Sequence, residues 1–236
     1  MNQTIVVTGA GKGLGYCIAK KHLESGDNVL ALEYSITPGL TELAKQHPSL
    51  RAIRCDVTST SMVKTALTPL FDRKKTVHIL YNVAGIYFQE DCVPLEETDI
   101  DRFLSLYDVN ALGQLRVIKE ISPLLAKGAV ILNVTSEAGS IGSCTRNSEY
   151  GYCMSKAAAN MGAKILSNQL AARHIRIFCV HPGWLKTDMG GTKALLSNTS
   201  ITPEESAAAL IDIAQNPSSI PDDVMYLDYR KTPLCW

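Results

Sequence analysis

The chain has 236 residues, 46% of them hydrophobic, with 23 basic residues balancing 23 acidic ones. That is enough apolar surface for one large core. No segment gathers the Lys/Arg cluster that nucleic acid or an anionic membrane surface would require, so both are set aside as partners.

The cysteines, Cys17, Cys55, Cys92, Cys144, Cys153, Cys179 and Cys235, form no C-x-x-C pair and make an odd total. This usage suits unpaired thiols in a reducing compartment and disfavours a metal site. The residues ahead of Ile5 carry no basic run, and the apolar stretch after them breaks at Gly9, so this segment reads as a strand and not a signal peptide. No apolar run approaches the ~18 residues of a membrane span. A cytoplasmic location is expected.

Short β-branched runs alternate with longer helical patterns. The runs are Ile5 to Val7, Val29 to Leu32, Ala52 to Cys55, Ile79 to Asn82, Ala129 to Val134 and Ile175 to Val180. Most are apolar at consecutive positions, as strands covered on both faces must be. The pattern predicts an α/β chain: a Rossmann-type, doubly wound parallel sheet in three layers, forming a single domain over 1–236. Helices are predicted from Leu14 to Ser25, stopped by Gly26, from near Asp101 towards Ala126, and from Tyr152 towards Arg173. The stretch from Trp184 to Thr202 is rich in Gly, Ser and Thr without strong periodicity, and reads as a loop able to move over a pocket.

The first strand runs into Thr8-Gly9-Ala10-Gly11-Lys12-Gly13-Leu14-Gly15. Glycines between a first strand and a first helix let backbone N–H groups approach a pyrophosphate at the positive helix end. A glycine cluster alone is also an ordinary turn; its place in an alternating pattern gives it meaning. Glu33 closes the second strand, where a carboxylate can accept hydrogen bonds from a ribose diol and repel a 2′-phosphate. Lys12 works in the other direction, although a solvated loop lysine is the simpler reading. NAD(H) is therefore the expected cofactor, with NADP(H) the alternative.

The spacing T-G-x-x-x-G-x-G from Thr8 to Gly15 resembles the short-chain dehydrogenase/reductase family, and later segments repeat the likeness in order. Asp56-Val57 is similar to the adenine-contacting pair. Asn82-Val83-Ala84-Gly85 is similar to the N-N-A-G element, with Val83 replacing the second Asn. Tyr152-Cys153-Met154-Ser155-Lys156 fits Y-x-x-S-K, and Pro182-Gly183 with Thr187 fits P-G-x-x-x-T. The tail, His181 to Gly191 with Pro203-Glu204-Glu205-Ser206 and Leu227-Asp228-Tyr229, resembles the C-factor and sniffer-like carbonyl reductase branch, which includes proteins assigned signalling roles. The resemblance implies a dinucleotide held by Gly9, Lys12, Gly13, Leu14, Gly15, Glu33, Asp56, Val57, Asn82, Ala84, Gly85, Tyr152, Lys156, Pro182, Gly183 and Thr187. It implies catalysis by Asn110, Ser136, Tyr152 and Lys156, and homo-oligomers through the helices beginning near Asp101 and Tyr152.

The chemistry of these residue types agrees. Reduction of a carbonyl by hydride needs a proton donor at the forming alkoxide, and a phenol serves if its pKa falls from ~10 towards neutrality. A lysine four residues on lies over the same helix face and can lower it. Ser136 can donate to the substrate oxygen. Tyr16 and Lys20 share this spacing, but they sit behind the glycine loop with no serine-bearing strand before them, and read as a surface pair. Packing is the bland reading of Cys153 and of His181, which precedes Pro182. The expected activity is carbonyl–alcohol interconversion on a small molecule. A non-catalytic dinucleotide sensor is the competing reading, and an extended epimerase is disfavoured by the short stretch after Thr187.

Overall fold

A computed structural model describes residues 2–72 and 75–236. Seven strands form one parallel sheet in the order β3-β2-β1-β4-β5-β6-β7. They are β1 (Thr4–Thr8), β2 (Asn28–Glu33), β3 (Leu50–Arg54), β4 (Val77–Asn82), β5 (Leu125–Val134), β6 (Arg176–His181) and β7 (Tyr226–Asp228). The side-chain alternation of a strand sends Ile5 and Val7 to one face and Val6 to the other. Both faces are buried, which explains the uninterrupted apolar runs.

On the first face, Leu14, Ile18 and Leu23 of α1 (Gly13–Glu24) share a core with Leu40 and Leu43 of α2 (Pro38–Gln46) and with Leu210 and Ile213 of α8 (Pro203–Gln215). On the second face, Val63 and Leu67 of α3 (Thr60–Asp72) pack with Val117, Ile118 and Ile121 of α5 (Gly113–Ile121) and Ala163 of α6 (Tyr150–Leu170). Gly26, at φ +85°, closes α1 as the sequence predicts. The N–H of Gly26 donates to Leu23 O and that of Asp27 to His22 O, pairing carbonyls that the last turn leaves open.

The single helix expected from Asp101 to Ala126 is three pieces. α4 (Phe103–Tyr107) leads into a π turn (Asp108–Leu112) and then α5. Pro123 lies in the short 3₁₀ turn after α5 and cannot continue the helical bonding, and β5 begins at Leu125, earlier than the expected Ala129. Gly128, at φ +77°, marks the register shift where β5 bulges against β4. The stretch 184–202 is not wholly loop. It contains α7 (Gly191–Leu196), anchored by the fully buried Ala194, and its base is closed by backbone bonds from Lys186 N to Ile201 O and from Ile201 N to Trp184 O.

Strand β1 pairs with β2 on one side and β4 on the other. In such a sheet the crossover helices leave towards opposite faces at this point, opening a crevice at the carboxyl ends of the strands. Every sequence-derived site residue lies on or beyond a strand's carboxyl end or on the helices that face this crevice.

Candidate active site

The glycine loop is compressed against its neighbours. A Cβ on Gly9 would lie 2.9 Å from the backbone N and Cα of Ala84, and one on Gly15 would lie 2.1 Å from Gly9 O. Thr8 Oγ1 accepts the N–H groups of Val83 and Ala84 at 3.0 and 3.1 Å, tying the end of β1 to the segment after β4. At the start of α1 no side chain caps the helix, and its first turn holds no acidic residue. This uncapped positive end can hold a pyrophosphate, so Gly13, Leu14 and Gly15 fit a dinucleotide.

Glu33 turns its carboxylate towards the loop. Its Oε2 accepts the Gly11 N–H at 2.5 Å and its Oε1 the Tyr34 N–H at 3.0 Å. Lys12 reaches instead to Asp188, with Nζ 2.6 Å from Oδ2, both side chains being largely exposed. The hydrogen bond and charge of Lys12 hold the Asp188 carboxyl below its ordinary range. Thr187 lies against the loop as well, its methyl 3.4 Å from where a Gly13 Cβ would stand. Asp56 caps its own turn through Thr58, Val57 is buried, and Asn82 Nδ2 donates to Asn133 Oδ1 at 2.9 Å. Pro182 O accepts the Ser206 hydroxyl at 2.7 Å, and Gly183 follows it at φ +87°.

The four residues proposed for chemistry converge. The Asn110 amide, carried on the π turn, receives the Ile86 N–H at 2.8 Å, donates to Ile86 O at 3.0 Å and donates to Ser155 Oγ at 3.0 Å. A Cβ on Gly85 would lie 3.2 Å from Asn110 Oδ1 and 3.5 Å from Lys156 Nζ, so all three share one small space. Lys156 is 4% exposed, donates to Val134 O at 3.2 Å, and holds its ammonium 5.6 Å from the centre of the Tyr152 ring. Burial brings its pKa down to about 8. Burial pushes the Tyr152 phenol above its ordinary range, with the Ser136 hydroxyl pulling it back only in part. In the chain alone the loss of hydration outweighs these neighbours.

Around this group stands a charged frame. The Ser136 hydroxyl donates to Glu137 Oε2 at 2.6 Å. Arg146 bridges Glu137 and Glu149, and the Tyr87 hydroxyl donates to Glu149 Oε1 at 2.6 Å. The Tyr87 ring meets Tyr152 edge-on, with ring centres 4.9 Å apart. His181 Nδ1 is 3.2 Å from Glu137 Oε2 without the alignment of a hydrogen bond, and burial lowers its pKa. Burial works to raise Glu137, yet His181, the Ser136 hydroxyl and Arg146 together hold it below its ordinary value. From beneath, the Tyr226 hydroxyl donates to Ser136 O at 2.5 Å. No spacing rule marks Tyr226 or Glu149, since both act through contacts distant in sequence. The second Tyr–Lys pair differs from expectation too: Tyr16 is half-buried against the core, while Lys20 is exposed and bridges Glu24.

The family model described as short chain dehydrogenase matches residues 3–195. The chain belongs to this family. It is an NAD(P)-dependent oxidoreductase of the short-chain dehydrogenase type. The 1-hydroxy-2-glutathionyl-2-methyl-3-butene dehydrogenase of Rhodococcus sp. (strain AD45) is 33% identical over 214 residues, covering 90% of this chain and 91% of the relative. The C-signal protein of Myxococcus xanthus is 38% identical over 122 residues, 51% of this chain and 72% of its own length. Among solved structures, the NADPH-bound carbonyl reductase from chicken fatty liver superposes with a TM-score of 0.88 at 26% identity, covering 100% of this chain and 99% of that one. Among the described residues of this short-chain dehydrogenase, no His/Cys/Asp/Glu group is arranged to hold a metal, and no helix is long and apolar enough to cross a membrane.

Proposed function

We propose that this chain interconverts a carbonyl and an alcohol on a small organic molecule, with Tyr152 as general acid in reduction and general base in oxidation. The observation that carries the reading is the meeting of Asn110, Lys156 and Tyr152, with the Ser136 hydroxyl against the Tyr152 phenol, next to the segment that packs on the glycine loop. A dinucleotide held by the glycine loop would supply or accept the hydride. In reduction Ser136 turns its hydroxyl to the substrate oxygen, and Tyr152 gives that oxygen its proton as the carbonyl carbon gains the hydride. The Lys156 ammonium then stabilises the phenolate left behind, and Asn110 holds the wall of the recess by bonding both Ile86 and Ser155. Solvent returns the proton to Tyr152.

The residues that would hold the dinucleotide are Gly9, Gly13, Leu14 and Gly15 at the pyrophosphate, Asp56 and Val57 towards the adenine, and Asn82, Ala84, Gly85, Pro182, Gly183 and Thr187 towards the nicotinamide. NAD(H) is the favoured cofactor. Glu33 fixes a carboxylate beside the loop while Lys12 is engaged by Asp188, an arrangement that suits a ribose diol over a 2′-phosphate. The chicken reductase binds NADPH, so this preference sets the two apart. The ratio of kcat/KM for the two cofactors decides it: NAD(H) should lead, Glu33→Ala should shrink the lead, and a wild-type preference for NADPH overturns the assignment. Segment 184–202 would cover the substrate, and the exposed Leu104, Met161 and Ile165 on α4 and α6 would join two copies, which sedimentation can test.

The activity itself is tested by screening aldehydes, ketones and secondary alcohols with both cofactors. Turnover of one class, lost in Tyr152→Phe, is the expected result. Dinucleotide binding with no turnover in any class would favour the signalling reading that the C-signal likeness supports.

A further inference from the structure

α6 begins in an unusual way. Helix starts favour Ser, Thr, Asp or Asn with extended backbone and a side chain that caps an N–H. Here the capping position is Glu149, at φ 63° and ψ 32°, with no side-chain cap bond. The left-handed region is rare for a residue with a long side chain, and such a conformation persists only when its surroundings over-determine it. They do so here. The Glu149 N–H donates to Asp91 O at 3.1 Å, Glu149 O accepts the Cys153 N–H at 3.0 Å, Oε1 accepts the Tyr87 hydroxyl, and Oε2 receives Arg146. The side chain is only 13% exposed.

The carboxylate that a cap would have used is therefore spent on two other segments. Through Tyr87, which stands edge-on to Tyr152, it limits how far the Tyr152 ring can rotate. Through Arg146 it reaches Glu137, which accepts the Ser136 hydroxyl. A serine hydroxyl has one proton to give, so Ser136 serves a substrate oxygen only by leaving Glu137. Arg146, drawing on the Glu137 charge from the other side, eases that exchange. Both groups that would bond the substrate oxygen are thus linked to the same residue, Tyr152 through Tyr87 and Ser136 through Arg146 and Glu137. We propose that Glu149 is a positioning residue of the reaction, holding Tyr152 through Tyr87 and Ser136 through Arg146 and Glu137. The inference rests on the reading of Tyr152 as the proton donor.

The test uses the full chain with its dinucleotide and a substrate found by the screen. Glu149→Gly removes the carboxylate and also relieves the left-handed strain. It should lower kcat about 10- to 100-fold, the range that small misplacements of reacting groups produce, while the dinucleotide KM stays at its wild-type value and the melting temperature does not fall. Glu149→Gln keeps an acceptor for Tyr87 and should recover part of kcat. Tyr87→Phe should lower kcat as well, and adding it to Glu149→Gly should cost little more, since coupled residues do not add. Wild-type kcat in Glu149→Gly, or a joint fall of kcat, dinucleotide affinity and melting temperature, overturns the inference. If Glu149→Gly does not fold, unchanged kcat in both Glu149→Gln and Tyr87→Phe does the same. Tyr152→Phe in the same assay separates the two claims. An active Tyr152→Phe defeats the proton-donor reading, whereas an inactive one beside a fully active Glu149→Gly defeats only the positioning role.

Discussion

Two Tyr-x-x-x-Lys pairs occupy this chain, one on α1 and one on α6, and their surroundings have little in common. Lys20 has about half of its side chain in water and bridges Glu24, while Tyr16 leans on the core. Lys156 is almost wholly enclosed, bonds a strand carbonyl and faces the ring of Tyr152, whose own ring is held by Tyr87. The spacing brings a phenol and an ammonium over one helix face in both places. Only enclosure gives that neighbourhood chemical force, because water screens the first pair and is kept from the second.

The comparison breaks first at the phenols. Tyr152→Phe keeps the ring and should fold and bind dinucleotide, yet lose ~100- to 10,000-fold or more in kcat, the usual contribution of a general acid. Near-wild-type turnover in a folded Tyr152→Phe would leave the two pairs equivalent and the mechanism wrong.

The lysines should differ in stability. Lys156 falls from 10.5 to about 8 on burial, so between these values the unfolded chain holds a proton that the folded chain has released, and stability rises with pH across that window. Below about 8 the fold carries the full burden of an enclosed charge, on the order of 3 kcal/mol, against which the bond to Val134 O returns ~1 kcal/mol. Lys156→Met should therefore abolish turnover and raise resistance to urea near neutral pH, with the gap to wild type closing as pH climbs from about 8 to 10.5. Lys20→Met should change neither, and a destabilised Lys156→Met at neutral pH would contradict the assignment of cost to burial.

A smaller effect is expected in segment 184–202. Its backbone-paired base should protect residues 186 and 201 from hydrogen exchange at all times, while residues 188–200 gain protection only with cofactor and substrate present. Equal protection in both states would remove the cover from the mechanism. Smallest of all is Tyr16→Phe, which should leave turnover as it was; a loss comparable to that of Tyr152→Phe would show that spacing alone carries the chemistry.

Of the six strands read from the sequence, β1, β2, β4, β5 and β6 were legible because strands buried on both faces need consecutive apolar residues, whereas the edge strand β3 exposes Arg51 and Arg54 and offered only a short apolar pair. β7 spans only Tyr226–Asp228 and offers too few positions for a pattern. α2 and α8 could have been read from their starts: Thr37-Pro38 and Thr202-Pro203-Glu204-Glu205 are cap-and-proline signatures, and Thr202 with Glu205 forms a capping box. The motif residues lie at the carboxyl ends of strands and on the helices that follow, because each motif is local. The pairings among Glu137, Arg146, Glu149, Tyr87 and Tyr226 could not be read from the sequence because they depend on how loops from different strands meet.

The π turn at Asp108–Leu112 places Asn110 by residue count. A turn of this kind holds one residue more than the α-helix around it, and each residue of a helix turns the chain by ~100°. Removing Val109 alone, with no change in any side chain that bonds, would let α4 and α5 join as one regular helix. Either Asn110 would then swing out of reach of Ile86 and Ser155, or α5 would rotate Val117, Ile118 and Ile121 away from the sheet. A substitution scan across this helix would pass over that dependence, because the wall of the recess is set there by insertion length as well as by residue type.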